Sequence, residues 1–128
     1  MLFVADLVAD LKDPKVAPMP DLDTDTMVHY AIYDGKKLQK LVLLNLEYFS
    51  GTSQSSRRST TFGSARLLGT KLRVRRLTGA NSAATAGVTW AGQSVDGDGS
   101  IIGAVKTESV HDGRVSLFAS EAVIVERA

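Results

Sequence analysis

Residues 27–46, MVHYAIYDGKKLQKLVLLNL, limit the possible fold more than any other stretch of the chain. A run of β-formers meets Asp34-Gly35, a dipeptide that supplies the positive φ of a tight hairpin turn, and a second apolar run returns from it. The spacing predicts strand, turn, strand. Leu41 to Leu44 are apolar without alternation, which puts the returning strand in the middle of a sheet with both faces covered.

Downstream the same pattern recurs. A short strand is predicted around Thr60 to Phe62, and in GTKLRVRRLTG the residues Leu72 and Val74 alternate with Lys71, Arg73 and Arg75, as in a half-buried strand with a basic outer face. VTWAGQSV, a turn at DGDG, a strand through Ile101 to Val105, and the pair RVSLFA and EAVIVER complete the set. SGTSQSSRR and GANSAATAG read as loops. Short strands separated by turn signals, with no helices between them, predict an all-β fold: an antiparallel β-sandwich of Greek-key type. At the N-terminus Phe3, Leu7 and Leu11 recur at four-residue spacing with Asp6, Asp10 and Asp13 opposite them. Residues 2–12 are therefore expected to form a short amphipathic α-helix, which Asp13-Pro14 ends. VAPMPDLDTDT then reads as an irregular connection.

With 128 residues and no cysteine, the chain suits one domain and excludes disulfides, thiolate zinc sites and thiol catalysis. The opening run carries Asp6 and Asp10 and no preceding basic residue, so it does not read as a signal peptide. No run is long enough to suggest a membrane span. Charge is unevenly placed: from Tyr48 to Val95 there is no acidic residue, while Arg57, Arg58, Arg66, Lys71, Arg73, Arg75 and Arg76 all fall there.

Several residues were weighed as chemistry against a plainer role. Asp96-Gly97-Asp98-Gly99-Ser100 resembles the start of a calcium loop, but Ile101 and Thr107 stand where that loop needs glycine and glutamate, so a hairpin turn and no metal site is expected. Trp90 could stack on a sugar or a base, or pack in a core, and Gly92 beside it suggests close backbone approach. Glu47, Glu108, Glu121 and Glu126 show no spacing that pairs two carboxylates, and His29 and His111 stand apart; all are expected as solvated surface groups, with no catalytic residue and no cofactor. Arg57, Arg58, Arg73 and Arg75 could form an electrostatic binding surface for acidic glycans or nucleic acid, although no aromatic residues interleave with them, and nucleic acid is not expected.

YAIYDGKKLQKLVLLNL, GTKLRVRRLTG, VTWAGQSVDGDGSIIG and SEAVIVE, in that order, resemble the C-terminal β-domain of glycoside hydrolase family 79, the β-glucuronidases to which heparanases also belong. The most telling pieces are Arg75-Arg76-Leu77-Thr78 and Thr89-Trp90-Ala91-Gly92-Gln93. The resemblance covers residues 27–127, and LFVADLVADL looks like the last helix of that family's catalytic (β/α)₈ barrel. It implies two units: residues 1–26 as the remnant of the barrel's last helix plus linker, and residues 27–128 as the β-domain. It also implies that both catalytic glutamates lie on barrel strands outside this chain, and that the barrel is the domain's partner. The family is often secreted. Trp90, Gln93, Arg73 and Arg75 become the candidate contacts to a ligand or to the barrel, a glycan is a possible further partner, and the N-terminal helix could mediate self-association. The alternative is an autonomous binding module.

Overall fold

The computed structural model describes residues 7–84 and 87–128, and it is all-β and antiparallel. The strands are β1 (Pro14–Pro18), β2 (Met27–Asp34), β3 (Lys37–Asn45), β4 (Ser59–Gly63), β5 (Leu72–Thr78), β6 (Thr89–Trp90), β7 (Ser94–Val95), β8 (Ile101–Ile102), β9 (Glu108–Val110), β10 (Arg114–Phe118) and β11 (Ala122–Arg127). Seven of them form one sheet in the order β1-β2-β3-β11-β5-β6, with β9 also paired to β5. β4 and β10 form a separate ribbon, and β7 and β8 a small hairpin.

The predicted β2–β3 hairpin is present, turning through Gly35 at φ 64° and Lys36. β3 lies between β2 and β11, which is why Leu41, Val42 and Leu43 are buried although their side chains point to opposite faces. The inner face of the sheet presents Met27, Ala31, Leu41, Leu43, Leu72, Val74, Val123 and Val125, and these pack with Val115 and Leu117 from the ribbon. The outer face presents Ile32, Val42 and Ile124 around Trp90.

Three expectations need correction. The helix expected over residues 2–12 lies partly outside the described residues; within them only Leu7 and Val8 are helical, and the chain then turns, with Leu11 N–H donating to Val8 O at 3.0 Å. The side chain of Lys40 captures this turn, as described below. Residues expected as an irregular connection include β1, which pairs along its length with β2. Its two prolines fit an edge strand, where a missing N–H leaves no ladder bond broken. The strand expected through Val105 stops at Ile102, because Gly103 turns the chain at φ 95° and its carbonyl is taken by the Gln93 side chain at 3.1 Å.

Candidate functional site

The outer face of the sheet divides into an apolar strip and a charged row. Strand alternation sets the strip: Val16 of β1 lies opposite Ile32, Tyr30 opposite Val42, and Leu44 opposite Ala122. Leu7, Val16, Tyr30, Ile32, Val42 and Leu44 line a depression of about 220 Å³. Leu44 also belongs to a neighbouring depression of about 430 Å³, walled by Leu46, Tyr48, Leu77 and Val88 among others. Between them, Val16 is 58% exposed, Leu46 61% and Tyr48 72%. These exposed side chains flank a face whose centre, at Ile32, Val42 and Ile124, is already buried.

Beyond the strip lies the charged row. Lys40 lies opposite Ile32, in register with Val42 and Leu44 and next to a bulge, and Glu126 pairs with both Lys40 and Arg73 across the ladder. The Glu126 carboxylate lies 3.6 Å from Arg73, 3.5 Å from Arg75 and 4.0 Å from Lys40. Arg73 is half exposed, whereas Arg75 is largely covered. The two arginines proposed as contacts therefore share a face, but both neighbour the same carboxylate.

On the inner face the glutamates depart from expectation. Arg76 donates from Nε to Glu108 at 2.8 Å and from Nη1 to Glu121 at 2.9 Å, so two carboxylates meet at one guanidinium. Glu121 is buried, and also accepts from the Phe118 N–H. Burial opposes the Arg76 charge, but the bonds and charges of Glu108 and then Glu121 outweigh it and raise its pKa. The two carboxylates thus clamp one guanidinium between them. His29 is likewise buried rather than solvated: its Nδ1 lies 2.9 Å from Asp23 Oδ1, and its ring lies 5.2 Å from that of Phe62. Sequence spacing missed both clusters because their partners come from other strands and loops. One signal was legible, since an arginine at position 76 breaks the apolar inner-face alternation of Leu72 and Val74.

Trp90 is 3% exposed and packs in the outer-face cluster, leaving no ring face open to a sugar. Gln93 braces the root of the β7–β8 hairpin. In the turn beyond it, Asp96 Oδ1 accepts from the N–H groups of Asp98 and Ser100, so this carboxylate closes its own loop. Among the described residues no three His, Asp or Glu groups are placed to hold a metal ion. No described helix is long and apolar enough to cross a membrane. Arg57, counted above among the possible ligand-binding arginines, is buried: its Nε and Nη2 donate to Ala119 O, and Nη1 donates to Gly79 O. Arg58 alone of that pair projects, 82% exposed. A binding surface built on Arg57, Arg58, Arg73, Arg75 and Trp90 is therefore not assembled.

The described residues make an antiparallel β-domain that carries exposed apolar side chains at Val16, Leu46 and Tyr48 and ties its buried carboxylate Glu121 to a cation. The chain matches the glycosyl hydrolase family 79 C-terminal beta domain over residues 29–124 and belongs to that family. A crystal structure of a 4-O-α-L-rhamnosyl-β-D-glucuronidase from Fusarium oxysporum, in complex with Rha-GlcA, is similar to it at 34% identity and a TM-score of 0.72. The similarity covers 87% of this chain and 25% of that one, so the chain spans about a quarter of its relative's length. No curated protein sequence matches the chain.

Proposed function

We propose that this chain is the non-catalytic accessory β-domain of a β-glucuronidase-like retaining glycoside hydrolase and buttresses a catalytic (β/α)₈ barrel through the outer face of its sheet. The observation that carries the reading is the match to the family's C-terminal domain, in a chain that leaves the apolar side chains of Val16, Leu46 and Tyr48 exposed. The seven-stranded sheet and the β4–β10 ribbon are read as the two layers of a sandwich, which leaves the outer face as the surface available to a second domain. Residues 27–128 make the accessory domain, and residues 1–26 are the connection from the barrel, whose β1 segment adds to the sheet. Arg73, at the rim of the outer face, and Arg75 behind it are the polar contacts to the barrel, while Trp90 and Gln93 stiffen the surface from beneath.

Two measurements test this. The purified chain should hydrolyse no aryl β-glucuronide, and it should bind the separately expressed catalytic domain of a family 79 enzyme, with Tyr30→Asp or Leu44→Glu weakening that association at least tenfold. Turnover that disappears in Glu108→Gln or Glu121→Gln would overturn the non-catalytic role. Binding that is indifferent to both outer-face substitutions would move the interface elsewhere.

A further inference from the structure

Lys40 is the most deeply buried cation among the described residues, with its side chain 1% exposed, and it points to the outer face in alternation with Val42 and Leu44. An ammonium taken out of water costs several kcal/mol unless well-placed anions and acceptors replace its hydration. Glu126 cannot meet that need alone, since the same carboxylate also neighbours Arg73 and Arg75. The nearest anion comes instead from the N-terminal segment: Asp10 Oδ1 accepts from Lys40 Nζ at 2.7 Å, and Leu7 O accepts from it at 3.2 Å. Both acceptors are present only while residues 7–12 lie across the sheet.

We infer that Lys40 is an electrostatic latch that holds residues 7–12 on the outer face of the sheet. The groups facing the ammonium include Asp10 and Leu7 O from the strap, Glu126 from β11, Arg73 and Arg75 beyond it on β5, and the apolar Ile32 on β2. The hydrogen bond from Lys40 holds the Asp10 carboxyl below the usual aspartate range, with burial acting in the opposite sense. A carboxyl lowered in this way contributes its full share above the ordinary aspartate pKa, and the latch releases as pH falls through the depressed value. Leu7 and Leu11 also pack on the outer-face cluster, so the test must separate charge from apolar contact.

Hydrogen exchange of the 128-residue chain makes that separation at the Leu11 amide, which is bonded within the strap. Asp10→Asn, at a largely exposed position, should speed exchange over residues 9–12 roughly three- to tenfold, the range for a partly exposed charge-assisted bond, while β3 and β11 exchange as before. Asp10→Glu should restore much of the protection, and adding Asp10→Asn to Lys40→Met should change nothing further. Strap exchange in Asp10→Asn equal to that of the natural chain would overturn the inference, whatever the outcome of the glucuronidase tests. Should Lys40→Met fail to fold, Asp10→Asn alone decides.

Discussion

At the scale of single residues, the inner face depends on how Arg76 is shared. Glu121 is buried and accepts from Arg76 Nη1 and from the Phe118 N–H, whereas Glu108 is half exposed and accepts only from Arg76, through a fork of Nε and Nη2. Removing Glu121 leaves a part-buried guanidinium and a backbone N–H short of an acceptor. Glu121→Ala should cost about 2–3 kcal/mol, less than for a buried charge that loses every partner, because Glu108 and Ser116 O remain. Glu108→Ala should cost under about 1 kcal/mol. Urea unfolding of the two variants tests the order, and equal losses would contradict this division of roles. Gly103 offers a second test. At φ 95° a side chain is strained by roughly 1–3 kcal/mol, and a Cβ there would lie 2.5 Å from Gly92 O. Gly103→Ala should lower the melting temperature and loosen the β7–β8 hairpin first, read as faster exchange at the Asp96 N–H, which Ser100 O holds.

Among the elements, β3 and β11 carry the sheet. Their central residues are buried on both faces, and β11 joins the β2–β3 hairpin to β5. Leu43→Ala empties a site between the sheet and the ribbon and should cost about 2–5 kcal/mol by denaturant unfolding, whereas Val16→Ala on the edge strand should cost under about 1 kcal/mol, since Val16 is mostly exposed already. Comparable losses at the two sites would mean that the edge strand is as integral as the centre. β3 and β11 were readable because a doubly buried strand needs an unbroken apolar run, and LVLL and AVIV are such runs. β1 was not readable, because Pro14, Pro18 and the aspartates after them carry the signature of a loop. Its strand form comes from pairing with β2, an interaction no local pattern encodes.

Over the described residues, one face of the sheet packs on the β4–β10 ribbon, and the other carries Trp90, Leu7 and Leu11 over its centre with exposed apolar residues beside them. The strip from Val16 to Val88 should make the isolated chain associate at high concentration, and Leu46→Lys with Tyr48→Lys should reduce that without lowering stability by more than about 0.5 kcal/mol. Light scattering against concentration tests this, and unchanged association in the double variant would place the sticky surface elsewhere.

The sequence by itself determined the strand content, the β2–β3 hairpin, the central place of LVLL and the family, because hydrophobic alternation and turn residues act over a few positions and are written locally. Tertiary structure alone decided which charges meet. Arg76 lies 32 residues from Glu108 and 45 from Glu121, and Lys40 lies 30 from Asp10, so only the assembled sheet and the segment lying across it bring these charges together. The physical reason is that a carboxylate's role depends on its dielectric surroundings and its nearest cation. Both belong to the assembled sheet rather than to the neighbouring residues in the chain.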